Sequence, residues 1–90
     1  MRYEQLRYVL AIVELGSMRK AADALYISQP SLSESISRLE EELGFSLFVR
    51  SHNGLSVSKE GEQALPIIKE IVALSSELKN IQFNNSDQCL

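Results

Sequence analysis

The feature that most constrains this 90-residue chain is a run of apolar residues at helical spacing in its middle, with a clear start and stop. Ser28, Gln29 and Pro30 precede the run, and Gly44 follows it. The apolar residues recur at steps of four, three and four: Leu32, Ile36, Leu39 and Leu43. Serine caps first-turn amides, and proline is tolerated in a first turn because its missing N–H would have no partner there. The spacing predicts a helix over residues 28–43 with one buried face.

Two further helices are predicted before this one. A first amphipathic helix carries apolar residues at three- and four-residue steps: Tyr3, Leu6, Leu10 and Val13. Gly16 is a natural helix end, and Ser17 is a candidate N-cap for a short second helix. That helix contains Ala21 and Ala22, whose small side chains permit close approach of a neighbouring helix.

The second half of the chain predicts a hairpin and a long helix. Residues 47–49 and 55–57 are short β-prone runs around a polar tip, and Ser58 can cap a helix that continues to about Phe83. The element order is that of a mainly α winged helix-turn-helix with an appended helix. We therefore expect a winged helix-turn-helix over 1–58, a linker and dimerisation helix over 59–83, and a polar, frayed tail over 84–90.

Composition excludes several classes of protein. One histidine, His52, and one cysteine, Cys89, cannot form a disulfide framework, a four-ligand zinc site or a supported hydrolytic triad. The apolar run from Tyr8 to Val13 is far too short to span a bilayer, and the N-terminus shows no signal-peptide pattern. We expect a cytoplasmic module without catalytic residues, cofactor, metal or membrane partner.

The outer face of the predicted helix 28–43 is suited to DNA. Gln29 lies at its tip and can bond adenine N6 and N7 together, and serine hydroxyls can bond base edges or phosphates. A polar outer face is also typical of any solvated helix, so the pattern alone leaves both interpretations open. Three interpretations of Glu34 stay open. Its carboxylate accepts a hydrogen bond from cytosine N4, penalises binding to other sequences, or faces water.

The hairpin offers a second contact. Arg50 ends its first strand and His52 and Asn53 form its tip, although such a tip can also be a simple connection.

The net charge of −3 and the pI of about 5.1 argue against a nucleic-acid binder, which is usually basic. The distribution of charge is more favourable, since basic residues flank the predicted DNA-facing elements: Arg19, Lys20, Arg38, Arg50 and Lys59.

The last helix carries two apolar stripes. One is a heptad seam of five residues: Ile67, Ile71, Leu74, Leu78 and Ile81. The other is displaced from it and contains Leu65, Ile68 and Val72. We expect one stripe to pack on the winged domain, near the first helix, and the other to meet a second chain. The alternative is one thick apolar face within a monomer core.

Several short motifs together resemble a known family. They are Leu6-Arg7-Tyr8, Gly16-Ser17-Met18, Ala21-Ala22 with Leu25, Ser28-Gln29-Pro30-Ser31-Leu32-Ser33, residues 39–44 (LEEELG) and Leu47-Phe48-Val49-Arg50. Over about residues 2–83 the chain resembles the N-terminal DNA-binding domain of a LysR-type transcriptional regulator. The resemblance implies a winged helix-turn-helix, dimers through the linker helix, often paired into larger oligomers, and binding to interrupted palindromes in double-stranded DNA.

The resemblance also assigns roles to residues. It places Gln29, Pro30 and Ser33 at groove-contacting positions, Arg50 at a wing-side backbone contact, and Ser17 and Ser28 at cap or phosphate-contact positions. Two positions depart from the family pattern: Glu34 stands where arginine is common, and the often basic wing tip is His52-Asn53-Gly54. Family members also carry a C-terminal effector-binding domain, which is absent from these 90 residues.

The sequence thus predicts a sequence-specific, dimeric DNA-binding domain with helix 28–43 in the major groove and wing 50–54 on the backbone or minor groove. The candidate DNA-binding residues are Ser17, Ser28, Gln29, Pro30, Ser31, Ser33, Glu34, Arg38, Arg50, His52 and Asn53. The candidate dimerisation residues are Ile67, Ile71, Leu74, Leu78 and Ile81. Two alternatives stay open: a winged-helix regulator of another type, such as MarR, and a helical protein-interaction module that does not bind DNA.

Overall fold

A computed structural model describes residues 1–52 and 54–81 of the chain. These residues form four helices and one two-stranded antiparallel sheet. In chain order the elements are α1 (Tyr3–Leu15), α2 (Met18–Leu25), α3 (Gln29–Leu43), β1 (Phe48–Ser51), β2 (Gly54–Val57) and α4 (Lys59–Lys79). The predicted mainly α winged helix-turn-helix with an appended helix is confirmed.

Serine side chains begin three of the helices, as the sequence predicts. Ser17 Oγ accepts a hydrogen bond from the Lys20 backbone N–H at 3.1 Å, at the start of α2. Ser28 Oγ accepts from the Ser31 N–H at 3.1 Å at the start of α3. Ser58 Oγ accepts from the Gly61 N–H at 2.8 Å at the start of α4. Each such cap stabilises its helix by about 1 kcal/mol.

Left-handed backbone ends the first three helices. Gly16 after α1 has φ of +69° and Gly44 after α3 has φ of +85°, a conformation that glycine adopts without a Cβ penalty. Tyr26 after α2 has φ of +61° although it is not a glycine. This short break between α2 and α3 creates the helix-turn-helix, with the start of α3 presented at the surface.

The core lies between the first three helices. Val9 of α1, Ala21 of α2 and Leu32 and Leu39 of α3 are completely buried. Because alanine has so little bulk, the buried Ala21 lets α2 approach its neighbours closely. The packing turns one face of α3 inward and leaves its polar face outside.

The wing is attached to the helices by hydrogen bonds at its base. The Glu40 carboxylate on α3 accepts from the backbone N–H of Leu47 at 2.7 Å and of Phe48 at 3.4 Å. Ser58 N–H donates to the Leu47 carbonyl at 2.9 Å. These bonds fix the entry and exit of the hairpin relative to α3 and α4.

Helix α4 docks against α1 through the second of its two apolar stripes. Ile68 is buried in the core, and Leu65 and Val72 pack against it. At the far end of α4, Lys79 Nζ lies 4.5 Å from the centroid of the Tyr3 ring, a cation–π contact with the start of α1. One stripe therefore packs on the winged domain near the first helix, as expected.

The end of α4 differs from the prediction. The sequence predicts a helix to about Phe83, but α4 ends at Lys79, and Ile81 lies outside it. Asn80 forms the C-cap, and its N–H donates to the Ser76 carbonyl at 3.1 Å and the Glu77 carbonyl at 3.2 Å. Asparagine favours helix ends because its side chain competes for backbone hydrogen bonds. Residues 82–83 and the predicted tail over 84–90 lie outside the described residues.

Candidate nucleic-acid interface

The outer face of α3 is polar and exposed. Burial of Leu32, Ile36 and Leu39 turns the opposite side of the helix toward solvent. Six predicted DNA-binding residues of α3 are exposed or half-buried there: Gln29, Pro30, Ser31, Ser33, Glu34 and Arg38. An α-helix with such a face has the dimensions to enter the major groove of B-form DNA.

Three elements converge at the tip of α3. Ser17 from the start of α2, Gln29 from the start of α3 and Arg50 from β1 line one open depression. Arg19 and Ser51 line it as well. We call this set the wing edge. The start of a helix carries partial positive charge and free N–H groups, so two helix starts and two arginines favour a phosphate here.

The register of the wing explains why Arg50 belongs to the wing edge. Phe48 pairs with Val57 and Arg50 pairs with Leu55, so these four side chains share one face of the hairpin. Phe48 and Leu55 on that face pack against the core. Arg50 therefore lies on the side of the wing that faces the helices, and a second depression brings it together with Ser33.

Three other α3 candidates lie on the other side of the helix. Ser31, Glu34 and Arg38 line a depression shared with Arg2 and Tyr8 near α1. We call these three α3 residues the α1 edge. The structure thus divides the predicted α3 contacts between two edges of one exposed surface.

Glu34 and Arg38 form an ion pair. Arg38 Nη2 donates to Glu34 Oε2 at 2.9 Å, and both side chains are exposed. None of the three interpretations of Glu34 from the sequence includes this contact. The pair joins residues one helical turn apart, and exposed pairs of this kind contribute about 0.3–0.5 kcal/mol to stability. Its main consequence is that the carboxylate presented on this surface is neutralised by a neighbour.

Ser28 has a local structural role. Besides capping α3, its hydroxyl donates to Ser31 Oγ at 2.9 Å.

At the wing tip, His52 is an exposed turn residue, whereas Asn53 lies outside the described residues. The candidate list missed Arg19, which the structure places on the wing edge. Its position two residues after the N-cap of α2 is the signal that could have found it, because helix starts attract phosphates.

Four basic side chains on α2, on the wing and at the start of α4 form no ion pair within the described ranges 1–52 and 54–81. Arg19, Lys20, Arg50 and Lys59 are exposed there and form no ion pair. The acidic Glu41 and Glu42 lie at the opposite end of α3 from its tip. Two arginines without an ion pair among the described residues, Arg19 and Arg50, therefore lie at the wing edge, despite the net charge of −3.

The first stripe of α4 is exposed. Ile67 is 61% exposed whereas its neighbour Ile68 is 4% exposed, so the two stripes have different environments. The side chains left uncovered are Ile67, Ile71, Leu74, Leu78 and, beyond the helix, Ile81. The alternative of a single thick apolar face buried in a monomer core is therefore wrong.

In the part of the chain that the structure describes, no helix is both long and apolar enough to cross a bilayer. Among those residues, no group of three or more histidine, cysteine or acidic side chains could hold a metal ion.

Comparison with known proteins agrees with this geometry. Residues 3–62 match the model of the bacterial regulatory helix-turn-helix protein, lysR family, which is a family of regulatory proteins and not of enzymes. The chain is 38% identical over 89 residues to a probable RuBisCO transcriptional regulator of Cyanidium caldarium. The match covers 91% of this chain and 28% of that protein. The chain thus spans little more than a quarter of this relative.

Two solved structures are similar over most of the chain. The crystal structure of a CbnR DBD–DNA complex has a TM-score of 0.83 and 34% identity, covering 89% of this chain and 92% of that one. A complex of BenM DBD with benA site 1 DNA has a TM-score of 0.81 and 37% identity, covering 87% of this chain and 88% of that one.

Proposed function

Because the chain belongs to the LysR family of bacterial regulatory helix-turn-helix proteins, we propose that it is the sequence-specific, dimeric DNA-binding domain of a transcriptional regulator. The observation that carries the proposal is the convergence of Ser17, Gln29 and Arg50, from three different elements, around the exposed tip of α3. Similar chains have been solved as DNA complexes. Membership of this family excludes the MarR-type alternative.

Helix α3 enters the major groove tip first. Gln29 is exposed at the first position of the helix, where its amide can bond N6 and N7 of one adenine. Pro30 and Ser33 add close packing and a hydroxyl on the same surface. Ser28 and Ser31, which hold the first turn together, act mainly by fixing the direction of that tip.

The arginines of the wing edge contact the DNA backbone. Arg50 and Arg19 bind phosphates on the flank of the groove. The start of α2 at Ser17 lies at the same place, and its backbone N–H groups favour a phosphate there. His52 contacts the backbone or minor groove next to this position, and we assign the same role to Asn53, the next residue in the sequence. Such contacts orient the domain on the duplex and supply affinity that does not depend on sequence.

The exposed stripe of α4 pairs with a second copy of the chain. Ile67, Ile71, Leu74 and Leu78 lie on α4 at heptad spacing and are exposed in the single chain, so a partner helix would remove apolar surface from water. Ile81 lies at the margin of this contact. Two-fold pairing presents two α3 tips to one duplex, and the matching target is an interrupted palindrome. We place this activity in the cytoplasm, where a bacterial regulator meets its DNA.

The net charge of −3 favours one competing function, a helical protein-interaction module that does not touch DNA. Binding selection on random duplex DNA at moderate salt separates the two. Enrichment of a palindrome with two spaced half-sites supports the DNA-binding domain. Recovery of random sequence, with no motif, supports the protein-interaction module.

A further inference from the structure

Glu34 adds little to the stability of α3 as a helix, because its ion pair with Arg38 is exposed and exposed pairs of this kind are weak. It is the only charged side chain among residues 29–37. The N-cap is Ser28, and Glu34 is six residues beyond it, past the first turn in which a carboxylate is favoured by the helix dipole. Its side chain is exposed on the outer face and makes no contribution to the core.

Arg38 changes what this carboxylate can do. A lone carboxylate entering the major groove is repelled by phosphates, but Arg38 Nη2 donates to Glu34 Oε2 at 2.9 Å and balances the charge. The same bond fixes the direction of the carboxylate. A guanidinium has five N–H donors, so Arg38 can hold Glu34 and contact a phosphate at the same time.

The chemistry of the groove then selects the base. An ionised carboxylate only accepts hydrogen bonds, and the amino groups of cytosine and adenine are the donors in the major groove. Adenine places its N7 acceptor beside that amino group, which repels a carboxylate, whereas cytosine does not. Glutamine can satisfy both adenine groups, so Gln29 and Glu34 have different preferred bases.

We propose that Glu34 is a specificity-determining residue that selects a cytosine in each half-site, and that Arg38 is its positioning residue. The inference rests on the proposed function. Glu34 follows Gln29 by five residues, or about 7.5 Å along the helix axis, so the cytosine lies in a different base pair from the adenine bound by Gln29.

Binding selection with the full chain and two variants tests the role of Glu34. The unaltered chain enriches a motif with one cytosine per half-site that Glu34→Gln no longer prefers, the preference falling by about 5- to 150-fold. Glu41→Gln is the matched control, because it removes the same charge from an exposed position on the same helix. Loss of the preference in Glu34→Gln but not in Glu41→Gln supports the inference, and an unchanged base preference in Glu34→Gln overturns it.

A double-mutant cycle on the enriched duplex tests Arg38. Arg38→Gln is expected to reduce the cytosine preference while leaving the preference at the Gln29 position unchanged, which a general loss of structure would not do. The double variant should lose less affinity than the product of the two single losses. Losses that multiply show that the residues act independently and overturn the positioning role.

The two proposals fail in different ways. If the unaltered chain enriches no motif, the proposed DNA-binding function is wrong and the cytosine contact is wrong with it. If it enriches a palindrome whose base preferences are all insensitive to Glu34→Gln, the DNA-binding function stands and only the further inference is wrong.

Discussion

The Glu40 carboxylate on α3 accepts a hydrogen bond from the backbone N–H of Leu47 at 2.7 Å. It thereby connects the C-terminal part of α3 to the residue that directly precedes β1. The Phe48 N–H donates to the same oxygen at 3.4 Å. Because the wing carries Arg50, this one side chain helps set where Arg50 lies relative to Gln29.

Replacing Glu40 with alanine should destabilise the fold and loosen the wing. Hydrogen bonds to a charged group contribute about 1.5–3 kcal/mol, and in a domain of this size each kcal/mol lowers Tm by about 4–8 °C. Thermal denaturation followed by circular dichroism measures the loss. Glu40→Gln keeps an acceptor and should lose less. Equal Tm values for Glu40→Ala and the unaltered chain would show that the bond does not hold the wing.

Gly61→Ala should also destabilise the fold, although alanine normally favours a helix by about 1 kcal/mol over glycine. A Cβ at this position would overlap the Leu47 carbonyl oxygen and lie 2.8 Å from Val57 Cγ1. Overpacking of this kind costs about 1–3 kcal/mol. Denaturant unfolding measures the change, with the exposed neighbour substitution Glu62→Ala as the control. A more stable Gly61→Ala variant would mean that the wing yields without cost.

Arg50→Ala should weaken binding to every DNA sequence by a similar factor. If Arg50 neutralises a phosphate, its removal should make the slope of log affinity against log salt shallower by about 0.9. Arg19→Ala should behave in the same way, because both arginines line the wing edge. Affinity titrations over a range of salt concentrations measure the slope. Lys69→Ala is the control for loss of one positive charge from an exposed position on α4. An unaltered slope in Arg50→Ala would remove it from the phosphate contacts.

Leu74→Asp should produce folded monomers. Leu74 is 55% exposed in the single chain, so a charge there costs the monomer little but interrupts an apolar contact between two α4 helices. Sedimentation gives the mass, and circular dichroism checks the fold. Ser76→Asp, at an exposed polar position of the same helix, should stay dimeric. A Leu74→Asp dimer would place the subunit contact elsewhere.

Local signals made most of the fold predictable. The starts of α2, α3 and α4 at Ser17, Ser28 and Ser58 and the end of α3 at Gly44 depend on interactions within a few residues, which sequence spacing contains. The predicted end of α4 at about Phe83 lies too far along the chain, because apolar spacing continues beyond Asn80 although the helix does not.

The site was predictable as a set of residues but not as an arrangement. Arg19 and Gln29 line one depression although they come from different helices, and the Glu40 bond joins α3 to Leu47 in the loop before β1. Such contacts depend on how helices pack, which periodicity does not specify. The Glu34–Arg38 pair is different: its four-residue spacing was visible, but polar side chains at that spacing can also face water separately.

If Gln29 at the tip of α3 bonds an adenine in the major groove, the affinity depends on the N7 atom of that adenine. Each adenine of an enriched duplex is replaced in turn by 7-deaza-adenine, which lacks that acceptor but pairs normally, and affinity is measured for the unaltered chain and for Gln29→Ala. One adenine per half-site should be sensitive, with a loss of about 1–3 kcal/mol because the Gln29 amide N–H is left without an acceptor, and this loss should disappear in Gln29→Ala. Equal affinity for all substituted duplexes, or the same sensitivity in Gln29→Ala, would show that Gln29 does not bond an adenine.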